Sequence, residues 1–251
     1  MIVIGHRGAR GEAPENTLPA FLHALAAGVR HFELDVRLAY DGRPVVIHDE
    51  SVDRTTDETG AVARFPAAHL ASLDARRNTA GWHGFTGIPT LEEVLVACPA
   101  AASWQLEIKS DKPARIKVLV HAMAELLASL RMTDRVTLTS LDINVLKIAK
   151  KEVPGIARGY VAEQVEPAPL ATAKKLGCSL LVANWRITDE ALVQAAHAAC
   201  IPVSVWTVND LLVAERMFNI GVDSLITDFP TAMLAHTAMR SRLTSLRENQ
   251  R

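Results

Sequence analysis

The chemistry in this chain of 251 residues gathers in four short stretches: "GHR" with His6 and Arg7, "HFELDV" with Glu33 and Asp35, "VVIHDE" with His48, and "QLEIK" with Glu107 and Lys109. Side chains alternate across a strand, so Glu33 and Asp35 share a face opposite Phe32, Leu34 and Val36. By the same parity Glu107 and Lys109 oppose Leu106 and Ile108. If the leucines and valines face covering helices, the acids face inward. Three carboxylates converging on a buried mouth repel one another unless a cation lies among them. Oxygen-only ligation without cysteine suits a hard ion, Mg²⁺ or Ca²⁺. Arg7 and Lys109 beside such an ion would bind further anionic oxygens, so a phosphate ester is the economical substrate. Two histidines beside that phosphate, His6 and His48, supply an acid and a base that titrate near neutrality.

Short β-rich runs alternate with longer helical patterns, the signature of βα units around a parallel sheet. Strands are expected at Ile2 to His6, His31 to Leu38, Pro44 to His48, Ser103 to Lys109, Arg135 to Ser140, Ile156 to Val161, Ser179 to Asn184, Pro202 to Thr207 and Ser224 to Asp228. The third is surplus to an eight-stranded barrel. "LAYDGRPVV" explains it, because Asp41-Gly42 signals a two-residue hairpin that folds Pro44 to His48 back on the second strand. Counting outward from that turn sets Asp35 opposite His48. Seven helices fill the gaps from Thr17 to Ile220, with Gly28, Gly177 and Gly221 at left-handed C-terminal positions. The expected fold is an α/β TIM (β/α)8 barrel, one domain over residues 1–251, with a β-hairpin extension and a small insertion after the second strand. That insertion, residues 51–89, is polar and glycine-rich, a candidate lid over the active-site mouth. A last amphipathic helix is expected to fray into the charged C-terminus.

A net charge of -1 gives no global field to attract nucleic acid or an anionic membrane. Apolar runs are broken well short of the ~20 residues a membrane span needs, and no leader precedes the first strand, so the expected location is the cytoplasm. Cys98, Cys178 and Cys200 are too scattered for a disulfide framework or a zinc site and read as reduced core thiols. Trp206, sharing parity with Ser204 near the end of "VSVWTVN", either walls the site or belongs to the core.

Taken together, "HRGARGEAPENTLPAF", "ELDVRLAYDGRPVVIHD", "LEIK", "WTVN" and "LITDFP" resemble the motif series of the glycerophosphodiester phosphodiesterase family, in order and over essentially the whole chain. The resemblance implies a TIM-barrel hydrolase releasing sn-glycerol 3-phosphate and an alcohol from glycerophosphodiesters, the deacylated headgroups of phospholipids. It implies His6 and His48 as acid and base, Glu33, Asp35 and Glu107 as ligands of a divalent cation, and Arg7 and Lys109 at phosphate. It puts Trp206 in the substrate pocket, and Glu15 and Asn16 of "PENT" in a bracing role, with Thr17 as a helix N-cap. Its partner is a small-molecule diester, with no nucleic acid and no stable membrane association. A phospholipase-D-like lyase on the same barrel, acting on intact lipid at a membrane, and a non-enzymatic barrel that binds phosphorylated metabolites as a sensor are the alternatives.

Overall fold

Apolar runs form strands and the longer amphipathic stretches form helices throughout the computed structural model, which describes residues 1–79 and 81–237. In chain order these are β1 (Ile2–His6), α1 (Leu18–Ala26), β2 (His31–Leu38), β3 (Pro44–Val46), α2 (Ala67–Ser72), α3 (Leu91–Ala97), β4 (Ser103–Ile108), α4 (Pro113–Ser129) and β5 (Val136–Ser140). The second half repeats the alternation with α5 (Ile143–Glu152), β6 (Ala157–Ala162), α6 (Pro169–Leu176), β7 (Leu180–Asn184), α7 (Glu190–Ala198), β8 (Val203–Trp206), α8 (Leu211–Asn219) and β9 (Ser224–Thr227). Residues 230–237 are also helical, and the rest of the terminal helix expected from sequence lies outside the described residues.

Parallel pairing runs through β1, β2 and β4 to β9, and β1 pairs with both β2 and β9, which closes the ring. Among the described residues the fold is a closed barrel of eight parallel strands, with β3 antiparallel on β2 outside it. No described helix is long and apolar enough to cross a membrane.

The outward faces of β2, β4 and β5 carry Phe32, Leu34, Leu106, Ile108 and Leu138, packed with Phe21, Leu119 and Met123 of the covering helices. Each such side chain, fully withdrawn from water, stabilises the fold by roughly 1.5–3 kcal/mol. The barrel interior is divided. A small cluster of Ile4, Val161, Val182 and Ile226 fills one part with hydrocarbon. Glu33, Asp35, Gln105, Thr139 and Ser204 put buried polar groups on β2, β4, β5 and β8. That asymmetry marks where the barrel gives up packing for chemistry.

The hairpin register departs from the sequence reading. Ala39 N–H donates to Arg43 O at 3.0 Å, and Val36 pairs with Val46, so three residues, Tyr40, Asp41 and Gly42, make the turn. Gly42 takes the left-handed conformation, φ +81°, that a three-residue loop with a bulge requires. The extra residue slips the pairing by one. Asp35 therefore lies opposite Ile47, whose N–H donates to Asp35 O at 3.1 Å, and His48 lies beyond the strand.

The described residues of the segment expected as a lid, 51–79 and 81–89, carry structure of their own. They hold a short 3₁₀ turn and α2, and bury Val52, Val62, Leu70, Leu73 and Ile88 in a cluster of their own with Val45 and Ile47. Two smaller corrections concern single residues. Thr17 occupies the N-cap of α1, but its hydroxyl donates to Pro14 O at 2.6 Å instead of accepting from the helix. Cys98 and Cys178 are buried thiols, whereas Cys200 is exposed, because it follows the last turn of α7 in a left-handed conformation, φ +56°.

The β1–α1 loop turns so tightly that Gly8, at φ +84°, would place a β-carbon 2.8 Å from the Ala20 backbone. Gly8→Ala is expected to lower unfolding free energy by about 2–4 kcal/mol, the combined cost of a strained backbone and overpacking. The urea midpoint of the variant checks this; an unchanged midpoint contradicts the tight turn.

Candidate active site

Adjacent strands bring the inward residues into line at the C-terminal end of the barrel. His6 pairs in register with Glu33, Glu33 with Gln105, and Asp35 with Glu107. The consequence is a triad in which carboxylate oxygens of Glu33, Asp35 and Glu107 lie within 4.8 Å of one another. Glu33 and Asp35 are 4% and 1% exposed, and Glu33 Oε1 has no hydrogen-bond partner among the described residues despite its burial. A buried, unpartnered oxygen beside two further carboxylates fits a hard divalent cation held by Glu33, Asp35 and Glu107.

Two cationic side chains flank this cluster. Arg7 has its Nε 2.9 Å from Asp35 Oδ2, and Lys109 Nζ lies 2.7 Å from Asp35 Oδ1 and 2.6 Å from Glu107 Oε1. Arg7 N–H donates to Glu33 Oε2 at 3.2 Å from a left-handed backbone, φ +50°. Asn16 Nδ2 donates to Asp35 Oδ2 at 2.8 Å, so this side chain braces the carboxylate directly. Burial, then the neighbouring Asp35 and Glu107 charges, push Glu33 well above the usual carboxylate range. Burial opposes ionisation of Asp35 too, but Arg7 and Lys109 outweigh it and hold that carboxyl far below its ordinary value. Neighbouring carboxylates are thus driven apart by which cations each touches.

Each histidine is tied through Nδ1 to an aspartate. His6 Nδ1 lies 2.5 Å from Asp228 Oδ1, and His48 Nδ1 lies 2.7 Å from Asp49 Oδ1. An ionised carboxylate only accepts, which assigns the proton to Nδ1 in both rings and leaves both Nε2 atoms to act. His6 Nε2 is 3.8 Å from Glu33 Oε2, at the edge of the acidic cluster. Burial lowers both imidazoles below the ordinary histidine value, against the upward pull of Asp228 on His6 and of Asp35 on His48. Arg37 Nε donates to His48 O at 2.9 Å, which fixes the backbone that the strand no longer holds.

Glu15 sits behind this layer, 4% exposed, accepting from Arg7 Nη1 at 2.7 Å, from Arg54 Nη1 and Nη2 at 2.8 and 2.7 Å, and from Asn78 Nδ2 at 2.7 Å. Burial alone would raise its pKa; the Arg54 and Arg7 contacts bring it down to about 2. A carboxyl depressed on folding stabilises above its unfolded pKa and loses that contribution as pH falls through its folded value. The depression is worth about 3 kcal/mol at neutrality. The stability gap between the parent protein and Glu15→Gln is expected to narrow between pH 5 and 2 in urea melts; a gap independent of pH contradicts the pairing.

His6, Glu33, Gln105, Glu107, Thr139 and Trp206 line a narrow cavity. Trp206, whose Nε1 is buried with no hydrogen-bond partner among the described residues, belongs to its wall. Beneath the acids Gln105 Nε2 reaches Ser204 Oγ at 3.4 Å. Asp49, Arg54, Asn78 and Asp228 escaped the sequence reading. Asp49 follows His48 and Asp228 lies inside "LITDFP", so both were visible as acids near motif histidines. Arg54 and Asn78 carried no local signal.

A model of the glycerophosphoryl diester phosphodiesterase family matches residues 6–232. A glycerophosphodiester phosphodiesterase of Bacillus altitudinis is 33% identical over 91% of this chain and 94% of its own, and one from Caldanaerobacter subterraneus subsp. tengcongensis is 35% identical over 93% and 96%. The structure of an Oleispira antarctica phosphodiesterase in complex with the product sn-glycerol-3-phosphate superposes with a TM-score of 0.86, at 32% identity, covering 94% of this chain and 96% of that one.

Proposed function

Because the chain belongs to the glycerophosphoryl diester phosphodiesterase family, we propose that it hydrolyses glycerophosphodiesters to sn-glycerol 3-phosphate and an alcohol, with His6 and His48 as acid and base. Glu33, Asp35 and Glu107 would hold one divalent cation, Mg²⁺ or Ca²⁺. The observation that carries this reading is the convergence of those three carboxylates beside two histidines, each oriented by an aspartate.

Charge decides what the cavity can bind. Were all three acids ionised, as binding a cation between them requires, Arg7 and Lys109 would leave one negative charge uncompensated, a poor host for a phosphodiester. A bound divalent cation would reverse that sign and polarise a phosphoryl oxygen as a Lewis acid. Arg7 and Lys109 then hold the remaining anionic oxygens, and Trp206 walls the glycerol end. One imidazole Nε2 takes the proton of the attacking oxygen, from water or from the glycerol 2-hydroxyl, while the other gives a proton to the departing alkoxide; where the 2-hydroxyl attacks, water then opens the cyclic phosphate with the two roles reversed. Their Nδ1–H groups stay on Asp228 and Asp49, so each ring turns only one nitrogen to the reaction. Glu15 and Asn16 keep Arg7 and Asp35 in place.

The reading also takes residues 51–89 as a cover resting on Glu15 through Arg54 and Asn78, on a single-domain barrel. It places turnover of deacylated headgroups in the cytoplasm. Enzyme stripped with EDTA and assayed on glycerophosphocholine and glycerophosphoethanolamine tests it. Release of glycerol 3-phosphate that returns with Mg²⁺ or Ca²⁺ supports the proposal; no release under any cation overturns it.

A further inference from the structure

One guanidinium connects the two halves of the site. Arg54 Nε donates to Asp49 Oδ2 at 2.5 Å, while its Nη1 and Nη2 donate to the two oxygens of Glu15 at 2.8 and 2.7 Å. Asp49 holds His48 through its other oxygen, at 2.7 Å, and Glu15 holds Arg7, at 2.7 Å. We propose that Arg54 is a positioning residue that fixes the His48 ring and the Arg7 guanidinium together, by bridging Asp49 and Glu15.

This rests on the hydrolytic reading above but adds an element outside the inward-facing set, since Arg54 belongs to the segment after β3. The backbone carrying it is rigid for local reasons. Thr56 N–H and its hydroxyl both contact Val52 O, at 3.0 and 2.9 Å, and Arg77 Nη1 donates to Asp53 O at 2.8 Å. Val52 and Thr56 are both fully buried beneath the turn. Arg54 therefore projects from a fixed platform, with its side chain 38% exposed and both of its acceptors more buried than itself.

Only a planar fork with donors on three nitrogens spans two carboxylates in this way; an ammonium is a point charge that satisfies one. Asp49 has one oxygen on His48 and its other on Arg54. Without Arg54 that carboxylate can rotate about its own side chain, and the ring it orients loses its fixed tautomer. Glu15 by contrast keeps Arg7 and Asn78, so the fold has partners left when Arg54 is removed.

The test uses the full chain as parent, Arg54→Ala and Arg54→Lys, assayed on glycerophosphocholine with saturating Mg²⁺, alongside thermal melts. We expect kcat of Arg54→Ala to fall by about 10- to 100-fold, with KM changed much less and Arg54→Lys recovering little. Low-millimolar guanidinium chloride is expected to restore part of the Arg54→Ala rate, whereas sodium chloride of equal ionic strength is not. The Nδ1–H proton resonance of His48 reads the tautomer without turnover and is expected to vanish in Arg54→Ala. If the parent protein releases no glycerol 3-phosphate, the hydrolytic reading fails, and that resonance alone then decides the bridge. A variant that keeps the resonance, or an active one within twofold of the parent in kcat, overturns the proposal. So does full activity in Arg54→Lys.

Discussion

Substituting His6 with Gln is expected to lower kcat by about 10²- to 10⁴-fold, the range set by losing one proton-transferring group from the transition state. His48→Gln should do the same. Glutamine carries its amide nitrogen near the Nε2 position and leaves Asp228 or Asp49 without the Nδ1–H donor, so a modest fall in melting temperature should accompany the loss of rate. It has no nitrogen that gains and gives up a proton near neutrality. The two substitutions should combine far less than additively, because acid and base act in one step and either loss disables both. Steady-state kinetics of both single variants and the double variant check this. A double variant slower than the parent by the product of the two single effects would mean that the histidines contribute independently.

The second large effect concerns Glu33, and it has two signs. Burial beside Asp35 and Glu107 disfavours its ionised form, with Glu33 Oε1 left without a hydrogen-bond partner among the described residues. In the cation-free protein, a carboxyl raised on folding contributes stability that is lost as pH rises above its unfolded value. Glu33→Gln removes that repulsion with little change of shape and should raise the cation-free melting temperature at neutral pH. The same change removes a ligand. For the parent protein, free cation at one hundred times its Kd should add about 2.7 kcal/mol of stability; for Glu33→Gln that increment should disappear. Calorimetric melts with EDTA or with Mg²⁺ measure both signs together. Equal cation-induced shifts in the two proteins would place the ion elsewhere.

Much of this was legible in the sequence because period-two alternation is a local property. "HFELDV" and "QLEIK" place Glu33, Asp35 and Glu107 on one face whatever the turns between them do, and their strands align as Glu33 with Gln105 and Asp35 with Glu107. The hairpin was less legible. Asp41-Gly42 marks a turn, but whether two or three residues form it depends on where the bulge falls, and the bulge moved His48 off the strand opposite Asp35. Residues 51–89 read as a loop because their apolar residues are too sparse for periodicity; they pack together only in three dimensions, against Val45 and Ile47. Arg54 and Asn78 were illegible for a related reason. Their partner Glu15 lies 39 and 63 positions away in sequence, a distance no local pattern bridges. The exposure of Cys200, too, follows from a left-handed residue after α7 and not from composition.

The cation is where the measurement should be made. Crystals soaked in Mn²⁺, with data collected at the manganese absorption edge, should give one strong anomalous peak enclosed by the carboxylates of Glu33, Asp35 and Glu107, next to His6. A peak at any other cluster, or none there in crystals of protein that hydrolyses glycerophosphodiesters with Mn²⁺ in solution, would contradict the assignment on which the mechanism stands.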